Sequence, residues 1–354
     1  MSPQNAAFVS TPTLTLDGSV NTGAMDDLVA LAVEETTAGM SWCEATFGNW
    51  DGRDYRYLTG DPIDFGTTLG VSFAGDGDNP VFAGRVSALR ADYPAAQPAR
   101  LQVLAEDGLQ DLRLTRRTRT FTDATTADIA DQLAGDHGLT ADVDLGETVR
   151  PVVAQLNQSD LAFLRELAGR DDGEVWLDGK TLRIRRRPAR VTDTLRLAYA
   201  SDLLSFSVRA DLAHQVTDVA VTGWSVETKA AIQEIADAGD LAAELGSGQR
   251  AGSTVLSSVF GDRSERVVRP VPLNADDAQA LAQAAYLRRA RRFVCGTGIT
   301  SGNPALRVGV RVTLTGLGGV FDGDYIACRV RHEYDLGQGY RTEFDVERAG
   351  LGAA

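Results

Sequence analysis

Val308-Gly309-Val310-Arg311-Val312-Thr313-Leu314 opens the stretch whose reading decides the fold. Val308, Val310, Val312 and Leu314 alternate with Gly309, Arg311 and Thr313. Further on, Ile326, Cys328 and Val330 alternate with Arg329 and Arg331, and Tyr340, Thr342, Phe344 and Val346 alternate with Arg341, Glu343, Asp345 and Glu347. A period of two puts one face of each strand in a core and the other in polar surroundings. Three consecutive strands are therefore expected up to Arg348.

Working outward, the stretch has an echo. Adding 239 takes Leu69-Gly70-Val71 to Val308-Gly309-Val310, Val81-Phe82 to Val320-Phe321, Gly84 to Gly323 and Arg90 to Arg329. Each glycine sits two residues after a phenylalanine, where a tight turn needs tolerance of positive φ. Chance resemblance between two meanders is the alternative, since Gly, Val and Phe are common in such segments. The shared spacing and strand phase favour duplication of one β-module.

The chain has 354 residues, enough for two or three domains with cores of their own. Its net charge of -14 argues against a broad nucleic-acid-binding surface and makes protein partners the default. Lys180 and Lys229 are the only lysines, so arginine carries nearly all the positive charge, as a GC-rich genome would produce. Cys43, Cys295 and Cys328 are odd in number, widely spaced and without a C-x-x-C, which speaks against a disulfide framework or a zinc site. The phase of Cys328 with Ile326 and Val330 predicts core packing. The N-terminus lacks a basic region followed by an apolar run, and the longest apolar run, Leu28 to Val33, is too short to span a bilayer. Synthesis and folding in a reducing cytoplasm are expected.

Up to about Arg117 the chain reads as mostly β, with strands at Thr13–Leu16, Trp42–Phe47, Leu69–Phe73, Arg85–Arg90 and Leu101–Ala105. The turn-rich run Gly75 to Pro80 invites a calcium-loop reading, but the twelfth position from Asp76 is Ser87 where a bidentate Glu is needed. In the middle, Thr125 and Asp128 form a capping signal for a helix carrying Ile129, Ala130, Leu133 and Ala134. Ser159 caps a second helix whose Leu161, Leu164, Leu167 and Ala168 form one stripe, predicted to face the following hairpin near Trp176. That hairpin runs from Glu174 through an Asp178-Gly179 turn to Ile184. Strands return at Asp202–Val208 and Gln215–Trp224. The alanine-rich, polar run Glu227–Gly252 predicts a peripheral, mobile insertion. From Ala275 to Arg292, Asn274 as cap, acidic residues in the first turn and arginines in the last predict a dipole-matched surface helix.

Catalytic signatures do not emerge. G-x-S-x-G, H-E-x-x-H, a phosphate loop and the Rossmann glycines are all missing. His137, His214 and His332 read as structural histidines, the Asp171-Asp172 pair as unremarkable among 49 acidic residues, and Arg183, Arg185, Arg186 and Arg187 as a solvated strand end. No catalytic, cofactor-binding or metal residue is assigned.

Three segments in order carry a family resemblance: Thr125-Thr126-Ala127-Asp128-Ile129-Ala130 with its Gly138-Leu139 exit, the block Gln155 to Ala168, and the Val175–Ile184 hairpin. The chain resembles the phage late control D proteins, the baseplate hubs of contractile tails and contractile injection systems, akin to the hub portion of valine-glycine-repeat spike proteins. Gly302 to Gly309, Phe321 to Tyr325 and Gly339 to Phe344 fit the same pattern, so the resemblance covers roughly Leu69 to Arg348.

The resemblance implies an α+β, mainly β fold of two similar β-barrel modules flanking an α/β insert. The expected division is 1–118 for the first module, 119–197 for the insert and 198–350 for the second module, with a helical insertion at about 225–292. It further implies a homotrimer forming a six-part ring between the sixfold inner tube and the threefold spike, with no catalytic residues to carry over. Because the chain stops at Ala354 without a spike-like extension, a separate spike protein is expected. A cell-wall-cleaving tail enzyme and a sugar-binding tail appendage are the competing readings. The second should expose aromatic residues on one face, and Trp42, Trp50, Trp176 and Trp224 are too scattered along the sequence to decide it.

Overall fold

Alternation and turn chemistry produce most of the elements in the computed structural model, which describes residues 11–58, 61–73, 80–190, 193–225 and 228–352. The turn-rich run from Gly75 to Asn79 lies outside the described residues. In chain order, β1 (Thr13–Leu16) and β2 (Ser19–Val20) lead through α1 (Thr22–Asp27) to β3 (Leu28–Thr36), β4 (Trp42–Gly48), β5 (Thr68–Ser72), β6 (Phe82–Asp92) and β7 (Arg100–Glu106). The middle holds α2 (Leu109–Leu114), β8 (Arg116–Ala124), α3 (Thr126–Asp136), β9 (Thr140–Asp144), β10 (Arg150–Ser159), α4 (Asp160–Arg170), β11 (Gly173–Asp178), β12 (Thr181–Arg186) and α5 (Arg187–Arg190). Then come β13 (Thr194–Ala198), β14 (Leu203–Ala210), β15 (Asp218–Ser225), β16 (Ala230–Asp237), β17 (Arg250–Ala251), α6 (Gly252–Phe260), β18 (Ser264–Val267) and α7 (Ala275–Ala290). The chain ends with β19 (Val294–Ser301), β20 (Arg311–Thr315), β21 (Gly323–Asp335), β22 (Gly339–Arg348) and β23 (Gly350–Leu351). The fold is mainly β, with large antiparallel sheets.

Thirteen strands share one sheet, ordered β14-β19-β22-β21-β3-β4-β7-β6-β5-β1-β2, with β20 bonded to β21 and β13 to β20. The apolar run at Leu28–Val33 is strand β3, which joins the two ends of the chain by pairing with β4 on one side and β21 on the other. Its interior place explains why it is apolar without strict alternation.

The two halves repeat each other strand by strand. The order β3-β4-β7-β6-β5 recurs as β14-β19-β22-β21-β20, with the strands taken from the chain in the same sequence. Two bulges recur as well. One falls between Leu28 and Ala30 against β4, and again between Leu203 and Ser205 against β19. The other falls between Val86 and Ala88 against β7, and again between Ala327 and Arg329 against β22. A bulge inserts one residue at one site of a ladder, so coincident bulges are a sharper register mark than shared Gly and Val. The last flanking strands differ, since β1 runs antiparallel to β5 whereas β13 runs parallel to β20.

This register corrects the sequence echo. The bulge residues Ser87 and Cys328 are 241 apart, so Phe82 matches Gly323, and Phe321 lies in the turn before the strand. Val71, opposite Phe82, matches Leu314, opposite Gly323. Val308 and Val310 are buried but precede β20. Gly323 has positive φ (125°), yet Gly84 lies within β6, where an added Cβ would stand 2.3 Å from the Glu106 carbonyl oxygen. Close strand packing, not a turn, requires glycine at 84. The displacement is by even numbers, so the in-and-out phase survived while the residue matches slipped.

Between the halves, α3 and α4 pack on the β9-β12-β11 sheet around a core including Leu133, Leu161, Leu164, Leu167, Val175, Leu182 and Ile184. The leucine stripe faces the hairpin as expected, through Val175, Leu182 and Ile184; Trp176 points away, under the Arg190 guanidinium. This core also takes Leu109 and Leu112 of α2, ahead of residue 119, and the segment adds strand β10 between the two helices. Ser159 caps α4, its hydroxyl accepting from Ala162 N at 3.2 Å. Ser159→Ala is expected to cost ~1 kcal/mol, read as a lower urea midpoint. An unchanged midpoint would assign the start of α4 to packing alone.

The run after Trp224 is ordered where it is described. Ala230–Asp237 pairs with β15, β18 flanks β15 on the other side, and α7 covers this three-stranded sheet. The alanines of α7 form its contact surface on this sheet. Ala278, Ala282, Ala285 and Ala290 are buried against Val219, Val221 and Ile232, where small side chains allow the helix to sit close to the sheet.

Candidate assembly surfaces and the charged seam

Helix α7 is largely buried and joins the insert to the second half, contrary to the expected surface helix. Asp277 in its first turn is 2% exposed, accepting from Arg170 Nη2 at 2.9 Å and Leu273 N at 2.9 Å, with Arg150 Nη2 at 3.5 Å. Arg291, just past its end, reaches Asp172 through two bonds (2.7 and 2.5 Å) and Glu244 through two more (2.8 and 2.6 Å). Burial opposes the Arg291 charge, but these carboxylates outweigh it and raise its pKa further. Arg288 donates to the Gly169 carbonyl at 2.8 Å. Arg288 and Arg291 thus bind the C-terminal end of α4, while Arg289 pairs with Glu265 of β18.

The arginine run after the hairpin is likewise engaged. Arg187 is buried and bridges Glu174 to Glu347, linking the insert to β22. Arg183 and Arg185 share Asp142. Asp171 and Asp172 are tied to Arg150 and Arg291. Arg165, Arg187, Arg288, Arg291 and Arg292 line a cleft of about 530 Å³ where the three parts of the chain meet.

The histidines take three different positions. His137 meets Asp160 at 2.9 Å; Asp160, 1% exposed, also accepts from Gln155 and Arg119, both at 2.8 Å. Burial opposes the Asp160 charge, yet Gln155, His137 and Arg119 hold its pKa below the usual range. Asn157, with φ of 49°, lies in the irregular stretch of β10 between Gln155 and Gln158 that turns Gln155 inward. The Gln155–Asp160 block is therefore accounted for by structure. His214 is exposed in the turn before β15, ahead of a strand as expected.

His332 is fully buried where the two halves meet, with Nδ1 2.9 Å from the Tyr340 hydroxyl and 3.2 Å from the Thr342 hydroxyl. Phe73 of the first half stacks on Tyr340 at 3.7 Å. Glu35 pairs with Arg307; burial opposes its charge, but Arg307 keeps its pKa low. Burial pushes His332 down to about 4. The bulge at Cys328 moves Ile326 and Cys328 out of phase with Val330, so Tyr325 and Ala327 enter the core and Cys328 lines the arginine cleft. Burial raises the Cys328 thiol to about 12.

Two exposed surfaces stand out among the described residues. The outward face of the β8–β10 ribbon presents Thr118, Thr120, Thr122, Val152, Ala154 and Leu156, all exposed and uncharged. Elsewhere Trp50, Tyr55 and Tyr93 form an exposed aromatic cluster with ring centroids 5.4 and 5.9 Å apart. Trp50 is thus joined by two tyrosines that sequence spacing did not connect to it. Among the described residues, no group of His, Cys, Asp and Glu is placed to hold a metal ion, and no helix is long and apolar enough to cross a membrane.

The family model described as "Alg8 N-terminal domain" matches residues 65–335, well over half of the chain. The chain belongs to the Alg8 N-terminal domain family. The matching model carries a different name from the late control D family that the motifs resemble. No curated protein matches the chain. Among solved structures, the 43 kDa tail protein of prophage MuSo2 from Shewanella oneidensis shares 15% identity at a TM-score of 0.69, over 96% of this chain and 98% of that one. A tail protein from Neisseria meningitidis shares 12% identity at 0.69, over 96% of each chain. An E. coli type VI secretion system component, itself described as similar to T4 bacteriophage tail proteins, shares 12% identity at 0.60, over 96% of this chain and 79% of that one. This family member therefore has a fold found in phage tail proteins.

Proposed function

We propose that the chain is a structural baseplate hub of a contractile tail or contractile injection system: a homotrimer joining the sixfold inner tube to the threefold spike. The observation that carries this reading is the internal repeat, five strands and two bulges recurring in one order. Three chains with two similar modules each offer six similar surfaces at roughly 60° intervals, which is what a sixfold ring requires of a threefold partner. On this reading the modules are residues 1–118 and 198–350, and 119–197 is the insert. The partners are the inner tube ring, the spike and other baseplate proteins, without nucleic acid or membrane insertion. The chain assembles in the bacterial cytoplasm as a tail component and performs no catalysis.

Mass photometry of the purified protein, with a particle map, is expected to give a trimer seated between tube and spike. A stable monomer absent from both would sink the proposal. The second reading, a sugar-binding appendage, draws on Trp50, Tyr55 and Tyr93, since aromatic faces stack on sugar rings. Glycan-array binding lost on Trp50→Ala would favour it. A cell-wall-cleaving enzyme draws on nothing in the geometry, and a peptidoglycan-digestion assay is expected to be negative.

A further inference from the structure

The repeat gives each of five strands a counterpart, yet one pairing is made only once. In the first half β3 bonds to β21, with Val33 opposite His332. The counterpart of β3 is β14, and the counterpart of β21 is β6. Among the described residues, β14 is the terminal strand of the sheet, and β6 beyond its bulge pairs on one side alone, with β7.

Burial follows the missing partner. On β3 and β21, Leu31, Val33, Val330, His332 and Tyr334 are all buried. Counting from the bulge in each strand, their counterparts are Phe206, Val208, Leu89, Ala91 and Tyr93, and none of these is buried. Tyr93 is 61% exposed where Tyr334 is 7% exposed. Two strands thus carry inward-type apolar residues and unbonded backbone edges, the arrangement that recruits another strand.

We infer that β14 of one copy pairs antiparallel with the outer half of β6 in a second copy, reproducing the β3–β21 junction between chains. This rests on the trimeric reading above and specifies its contact. The register transfers directly. Val33 and Val208 each lie four residues beyond the bulge residues Val29 and Leu204, and His332 and Ala91 each lie four beyond Cys328 and Ser87. Val208 therefore faces Ala91, Phe206 faces Tyr93, and Ala210 faces Leu89. Three such contacts alternate with three internal ones, so every module meets its neighbour in the same way. On the outward face Arg209 comes opposite Arg90, and Asp92, 3.1 Å from Arg90, lies diagonal to Arg209 and offsets the repulsion.

The test is a full-length variant carrying Ala91→Cys and Val208→Cys, mildly oxidised and run on a non-reducing gel. Directly opposed residues of an antiparallel pair lie about 4.5–5.5 Å apart, within disulfide reach. Linked oligomers ending at a covalent trimer are expected. Neither single variant, nor Ala91→Cys with Ser205→Cys, should link. Slowed amide exchange at 88–92 and 205–210 on assembly of the wild type is the second readout. A trimer without the cross-link and without slowed exchange would overturn the strand pairing while leaving the hub reading intact. A protein monomeric throughout would overturn both.

Discussion

Asp277→Ala should lower stability by about 3–5 kcal/mol, the range for removing one partner from a buried ion pair. Asp277 is 2% exposed, and among the described residues it is the only acceptor for the Arg170 guanidinium. Truncation leaves Arg170 and the Leu273 amide without acceptors and leaves Arg150 with Asp171 and Thr126. The penalty is that of uncompensated charge more than of lost attraction. A double variant with Arg170→Met should therefore recover much of the loss, because an apolar stem of similar length needs no counter-charge. Since Arg170 and Asp277 lie 107 residues apart in sequence, the effect should appear as loosening of α7 against the insert. Hydrogen exchange should quicken at the end of α4 and the start of α7. A urea midpoint equivalent to less than about 1 kcal/mol of change would show that the seam contributes packing and not electrostatics.

That seam was invisible in the sequence for a physical reason. The capping residues Thr125, Ser159 and Asn274, the Asp178-Gly179 turn and the leucine stripe all act over three or four residues, so spacing alone located the helices and the hairpin. Arg291 with Asp172, Arg187 with Glu347 and Asp277 with Arg150 are long-range pairs, and nothing local distinguishes a buried arginine from a solvated one. The same limit misplaced α7 on the surface. A helix whose contact face is alanine has little amphipathic signal, and only the β15–β16 sheet opposite gives that face meaning. The β-repeat was legible in phase and not in register. Alternation survives a slip of two residues, whereas the bulges at Ser87 and Cys328 that fix the true register leave no mark in composition. The pair of unpaired edges follows only once both bulges are placed.

His332 should make the junction between the halves sensitive to acid, though the whole protein will partly conceal it. Burial holds the imidazole neutral with a folded pKa of about 4 against an unfolded value near 6.5. Between those values the unfolded chain binds a proton that the folded chain refuses, so this contribution to stability is lost as pH falls. Arg307 and Glu35 are the charges beside it. Glu35 has a depressed pKa and acts in the same direction, but only below its unfolded value near 4.5. Asp107 acts oppositely. Burial raises it to about 6, so the folded state binds its proton first and gains stability as pH falls through that value. From pH 7 to pH 4.5 the two effects amount to about 2 kcal/mol each with opposite signs, so they largely offset one another in the wild type. The separation comes from variants. His332→Gln removes the titration, so its stability relative to wild type should rise by about 2 kcal/mol between pH 7 and pH 4.5, on top of a pH-independent loss from disturbing Tyr340 and Thr342. Asp107→Asn should move the other way over the same interval. Urea midpoints at four or five pH values measure both. Parallel wild-type and His332→Gln curves would show that His332 titrates normally and that the junction admits water.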